Sequence, residues 1–305
     1  MEELRSGCND PSSCLKIVPR FVWEAEGFFE EDLRVLGEVI TSTLEEYSFD
    51  GLVLELGFSK DMLFLYKLIR DAIGADKQLI LVAHPQSGSS FVSYIPSKVS
   101  KFTHNDLQAL HQIVDFVLLM TYDYSLSKGK IGPNAPLSIS SNFHFHSPFN
   151  HFVKQTFRDY LAPLPSTEKQ QITRHLFLGI PFYGYDDRNA ITGSQLLSIL
   201  QENEVEIRFR EKEREHEVQY TDKHDKRHVV FYPSLRFLED RILLAKKLKC
   251  GIGIWELGQG LDYFMDLLSL VCEEQTVHPA RFKYSLISLK GMISEAFSTS
   301  SQGVN

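Results

Sequence analysis

Four cysteines among 305 residues, Cys8, Cys14, Cys250 and Cys272, are too few and too scattered to set up a disulfide framework or a metal site. Cys8 and Cys14 can bridge a short loop or stay reduced, while Cys250, at the head of an apolar stretch, reads as a small buried thiol. Basic residues are outnumbered, 32 against 40 acidic, and the formal charge of −8 argues against a nucleic-acid partner. No apolar run reaches membrane-spanning length, so no membrane insertion is expected. Met1-Glu2-Glu3-Leu4-Arg5 has neither the basic start nor the apolar stretch of a signal peptide. No glycine loop able to cradle a phosphate is present, and no cofactor is expected.

What the chain does have is apolar material for a sizeable core, 43% hydrophobic residues with 24% charged. Strand-like segments near 15–23, 50–56, 78–83, 115–122, 176–182 and 251–255 alternate with amphipathic ones at 30–46, 60–73, 104–112, 152–161 and 234–249. Such alternation predicts a parallel sheet covered by helices. The clearest helix starts at the cap Ser234, carries Leu235, Leu238, Ile242, Ala245 and Leu248 at helical spacing, and ends among Lys246, Lys247 and Lys249.

Four segments carry chemistry. Phe49 to Gly57 reads Phe-Asp-Gly-Leu-Val-Leu-Glu-Leu-Gly, in which every second side chain shares a face. Asp115 to Ser125 ends in Met-Thr-Tyr-Asp-Tyr-Ser, Leu176 to Gly184 reads Leu-Phe-Leu-Gly-Ile-Pro-Phe-Tyr-Gly, and Gly251 to Gly260 contains Ile-Trp-Glu. Together they resemble strands of the barrel of glycoside hydrolase family 18, the chitinases, over roughly residues 1–268. The resemblance implies an α/β fold of the TIM-type (β/α)8 class. About six of the eight strands, three to eight, are present, because in the family two strands and a signal peptide precede the equivalent of Met1.

In the family the first of these strands reads Asp-Gly-x-Asp-x-Asp-x-Glu. Its last Glu protonates the glycosidic oxygen, and the acid two residues before it orients the substrate's own acetamido nucleophile. Here the pattern is degenerate: Asp50 is kept, but Val53, Glu55 and Gly57 stand where the three alternating acids belong. Glycine can donate no proton, so the resemblance implies a protein without a catalytic set. Glu55, pointing into the barrel, requires a partner, and Arg20 on the neighbouring strand is the candidate.

Binding chemistry remains. Barrels display functional groups at the C-terminal ends of their strands, where Trp255, Tyr122, Asp123, Tyr183 and Trp23 all stand. Trp255 is expected to form the floor under a sugar ring, Tyr122 and Asp123 to meet its acetamido group and hydroxyls, and Tyr183 and Trp23 to flank it. The acidic loop residues Glu24, Asp186 and Asp187 are secondary candidates for hydroxyl contacts and otherwise solvated. Chitooligosaccharide-like glycans are the implied ligand. A stabilin-type sorting receptor is the implied partner, and secretion or lysosomal delivery the implied location.

Residues at about 202–233 are crowded with both charge signs and read as a solvated insertion, with a hairpin formed by 217–220 and 228–232 over the barrel mouth. Tyr220 and Tyr232 there are wall residues or hairpin packing. His144, His146 and His151, in a loop-like insertion, invite a metal reading, but no Cys, Asp or Glu completes the set nearby. Residues 269–305, ending Ser-Thr-Ser-Ser-Gln-Gly-Val-Asn, read as a disordered tail.

Overall fold

The computed structural model describes residues 15–22, 30–55, 60–83, 102–126, 129–138 and 152–272. Six parallel strands form the central sheet in sequence order: β1 (Arg20–Val22), β2 (Gly51–Glu55), β3 (Gln78–Ala83), β4 (Phe116–Leu119), β5 (Leu176–Pro181) and β11 (Gly251–Trp255). All six predicted strands are therefore present. Among the described residues the sheet does not close, for β1 pairs only with β2 and β11 only with β5. The Cys8, Cys14 and His144, His146, His151 expectations fall outside the described residues, as do the tail from 273 and the side chain of Cys272.

The helices are α1 (Glu30–Glu46), α2 (Leu63–Ile73), α3 (His104–Ile113), α4 (Val153–Leu161), α5 (Ser166–Thr173), α6 (Gly193–Glu202), α7 (Leu235–Leu248) and α8 (Phe264–Cys272); the five predicted ones are all present, and α5, α6 and α8 were not expected. Helices α1 and α2 pack on one face of the sheet. Leu52 and Leu54 of β2 share a buried cluster with Ile40 and Leu44 of α1 and with Leu65, Tyr66 and Ile69 of α2. Strand β2 can lie this close to β3 because Gly51, at φ +154°, has no Cβ; one built there would meet the Gln78 carbonyl oxygen at 2.0 Å. In α7 the Ser234 hydroxyl accepts the Phe237 N–H at 3.2 Å, and the helix stops at Lys249, whose φ of 59° is left-handed.

Between β5 and β11 the chain builds a second, antiparallel sheet larger than the expected hairpin. Its strands are β6 (Gly184–Asp186), β7 (Asn189–Ile191), β8 (Val205–Arg210), β9 (Glu215–Thr221) and β10 (Arg227–Tyr232), in the order β7-β6-β10-β9-β8. The expectation of a solvated charged surface fails for Glu213, Glu215 and Glu217, which are buried. Glu215 and Glu217 share one face of β9, paired with Arg241 and Arg210, and Glu213, in the turn before the strand, lies 3.6 Å from Arg210. Tyr232 ties the ribbon's exit to its entrance: its hydroxyl lies 2.9 Å from the Phe182 carbonyl and 2.7 Å from that of Gln259. Cys250 is reduced and half-buried, and burial pushes its thiol up to about 12.

Two partly buried histidines make the fold acid-sensitive. Burial lowers His111, beside Tyr160, and His216, beside Ser234, to about 4. A base whose pKa is depressed by folding contributes stability that is present above its unfolded value near 6.5 and lost as pH falls through 4. Each contributes on the order of 3 kcal/mol to that loss. Glu215, pushed up to about 7 by burial, works against them, because its proton is bound more tightly in the folded chain. The expected net result is lower urea stability at pH 4.5 than at pH 7, and His216→Gln should flatten that acid limb; an unchanged slope would remove His216 from the account.

Candidate glycan groove

The face of the sheet opposite the helices carries the side chains that the degenerate pattern placed there. Register sets Arg20 opposite Val53 and Val22 opposite Glu55, so Arg20 and Glu55 rise from the same face of adjacent strands. Arg20 Nε donates to Glu55 Oε2 at 2.6 Å, the ion pair expected from the sequence. Asp50, the retained acid, has a structural role, since its Oδ2 accepts the Ile17 N–H at 2.8 Å and aligns the segment leading into β1 with β2. Gly57, Glu24 and Trp23 lie outside the described residues.

At the opposite edge of the sheet Trp255 ends β11, half-buried. The Arg20 guanidinium carbon stands 4.7 Å from the centre of its ring, a cation–π contact joining the two sheet edges. Sequence reasoning paired Arg20 with Glu55 but missed this second contact. It brings together residues over two hundred positions apart, and no local pattern carries that information. Trp255, the residue expected from sequence to form a sugar floor, thus carries a cation on one face.

Tyr122, expected at the acetamido group, and Tyr183, expected to flank the groove, are both deeply buried, 3% and 6% exposed. Their rings meet edge to face at 6.2 Å, and Tyr183 meets Tyr185 in the same manner at 5.6 Å. Tyr122 fits because Gly179 leaves the space open; a Cβ there would come within 2.9 Å of the Tyr122 ring. Asp123 organises this cluster. Its Oδ1 accepts the hydroxyl protons of Tyr183 at 2.6 Å and Tyr185 at 2.7 Å, and its backbone, at φ 60°, donates N–H to Asn134 Oδ1 at 2.7 Å. Burial, then the nearby Asp123 charge, raises the phenols of Tyr122, Tyr183 and Tyr185, which stay neutral donors. Tyr185 and Asn134 were not singled out from sequence; the alternation Tyr183-Gly-Tyr185 was the available signal.

Asp186 and Asp187 are partly buried and already paired, not solvated. Asp186 Oδ1 lies 3.1 Å and Asp187 Oδ2 3.2 Å from His228 Nδ1, and Asp186 Oδ2 accepts from the Tyr220 hydroxyl at 2.8 Å. Tyr220 stacks on the His228 ring at 4.7 Å, so its role is ribbon packing. Asp186, Asp187 and His228 form the one group among the described residues with donor atoms close enough for a cation, though these atoms already satisfy one another and Lys226 stands 3.4 Å from Asp187.

The sequence pattern of glycosyl hydrolases family 18 matches residues 30–260. The cortical fragment-lytic enzyme of Bacillus subtilis is 27% identical over 176 residues, 54% of this chain and 36% of that protein. The chain spans 36% to 43% of the length of the curated relatives it matches. Among solved structures, a chitinase from Rhizomucor miehei superposes with a TM-score of 0.62 at 16% identity, covering 80% of this chain and 79% of that one. The spore cortex-lytic enzyme of Bacillus cereus superposes with a TM-score of 0.58 at 20% identity, covering 83% and 59%. These likenesses are of fold.

Proposed function

The chain belongs to glycosyl hydrolases family 18, and from that premise we propose that it is a glycan-binding member that does not hydrolyse its ligand. The observation that carries the reading is Arg20, held by Glu55 and laid over Trp255, in the space where the sequence pattern calls for catalytic acids. The ion pair ties up the only acid of the alternating triplet that the chain retains. Trp255, Asp123 and the neutral phenols remain to stack on a sugar and exchange hydrogen bonds with it.

A sugar stacking on the covered face of Trp255 must displace the guanidinium, which costs about 0.5–1 kcal/mol at a partly exposed site. Arg20→Ala combined with Glu55→Gln is therefore expected to tighten chitooligosaccharide binding roughly 2- to 5-fold by calorimetry. Trp255→Ala should abolish it while leaving the helical circular-dichroism signal intact. Undiminished affinity in Trp255→Ala would place the ligand elsewhere.

The names of the relatives favour a second reading, a working glycosidase with a displaced acid. Its candidates are Glu55, already paired, and Glu256, which is exposed beyond the end of β11. Within the family the motifs resemble those of chitinase domain-containing protein 1. On that resemblance rest a lysosomal or secreted location and a stabilin-type receptor as partner.

A further inference from the structure

The described core contains a buried ion pair that no part of the groove uses directly. Arg241 of α7 and Glu215 of β9 are each 1% exposed, with Arg241 Nη2 3.6 Å from Glu215 Oε1. Arg241 lies over the Phe237 ring at 3.3 Å and donates from Nη1 to the Phe237 and Arg214 carbonyls at 2.9 and 3.2 Å, and from Nη2 to the Ala135 carbonyl. Glu215 turns both oxygens to one loop: Oε1 accepts the Ala135 N–H at 2.7 Å and Oε2 the Asn134 N–H at 3.0 Å. Asn134 is buried, and its side chain holds the Asp123 N–H while its carbonyl accepts the Tyr124 N–H at 3.1 Å. A continuous chain of contacts thus runs from helix α7 through the ribbon to the one carboxylate on which Tyr183 and Tyr185 converge.

We propose that Glu215 and Arg241 are positioning residues for the glycan groove, fixing the Asp123 backbone and carboxylate through Asn134 and making the ribbon an obligatory part of the site. The inference rests on the glycan-binding reading. Its physical basis is the geometry of Glu215: two backbone N–H groups converge on two oxygens, and only a carboxylate offers an acceptor to each. An amide, or the protonated acid, turns a donor against one of them. A buried cation is meanwhile left unpaired.

Groups facing Glu215 are Arg241 from α7, Glu213 from the ribbon and Arg210, opposite it in register on β8; Arg214, Tyr124 and Asp240 act on Arg241, with Asp240 bound to Arg214 at 2.7 Å. Burial pushes Glu215 up to about 7 against the pull of Arg241 and the two N–H groups. The positioning therefore strengthens as Glu215 loses its proton between pH 6 and 8.

The test compares the unmodified chain with Glu215→Gln and with Glu215→Gln/Arg241→Met, which removes the unpaired cation if the single variant fails to fold. Two readouts are taken: chitotetraose affinity from pH 6 to 8, and the carbon-13 resonance of the Asp123 carboxyl without ligand, assigned by its loss in Asp123→Asn. Expected are a moved Asp123 resonance, about 10-fold weaker binding at pH 8, and loss of the affinity step near pH 7. An Asp123 resonance that stays in place in a folded variant overturns the inference whatever the affinity does. A moved resonance with no chitotetraose binding by any protein, unmodified chain included, keeps the positioning and overturns the glycan reading instead. Binding that weakens equally at every pH, with no step lost, also overturns the proposal by making the pair a general stabiliser.

Discussion

Incubated with a chromogenic chitotriose substrate, the protein is expected to release product no faster than buffer alone, and Gly57→Glu is expected to leave it there. A positioned general acid contributes roughly 10²- to 10⁴-fold, so its absence removes most of the signal. Restoring it alone fails because the family pattern requires two more acids. Val53 contributes no carboxylate, and Glu55 is engaged by Arg20 Nε at 2.6 Å. The Arg20 guanidinium that holds Glu55 also lies over the Trp255 ring, so the pattern's second acid is not free to orient an acetamido group. Steady turnover by the unmodified chain would sink the non-hydrolytic reading and leave the displaced-acid reading standing.

The largest stability effect is expected at Arg241. Arg241→Met leaves Glu215 buried beside two N–H donors with no cation, and breaking one partner of a buried pair costs about 3–5 kcal/mol. Thermal melts should fall by on the order of 10 °C. Adding Glu215→Gln should restore part of that, because the unpaired charge disappears while one backbone N–H loses its acceptor. A double-mutant cycle in urea is expected to show a coupling of about 0.5–3 kcal/mol. Strict additivity would mean that the guanidinium acts through its carbonyl contacts with Phe237, Arg214 and Ala135, not through Glu215.

The central sheet was legible because parallel strands buried on one face announce themselves locally. Leu52 and Leu54, or Leu176 and Leu178, need only the period of two to be placed. Trp255, Tyr122 and Asp123 could be named because they stand directly after such runs. Less legible was everything set by encounter between distant segments. Glu215 lies in a stretch whose composition reads as solvent-exposed, and only Arg241, 26 positions later on another element, explains its burial. Arg241 itself interrupts the apolar stripe of α7 and looks like a surface residue until Ala135 and Phe237 surround it. Asp186 and Asp187 likewise look solvated until β10 brings His228 against them.

The bridge from Tyr232 to Phe182 and Gln259 bears on the order in which the molecule assembles. Counted along the chain, pairing β5 with β11 means closing a loop of roughly seventy residues, an entropic handicap that slows folding. The ribbon consists of antiparallel neighbours joined mostly by short turns and can form before that closure. Once it has formed, its entrance at Phe182 and its exit at Tyr232 are already side by side. The remaining search is limited to α7 and the strand that follows it. A contact that looks non-local in the sequence is thereby turned into a near-local one, and the strand carrying Trp255 docks onto an edge whose position has been settled in advance.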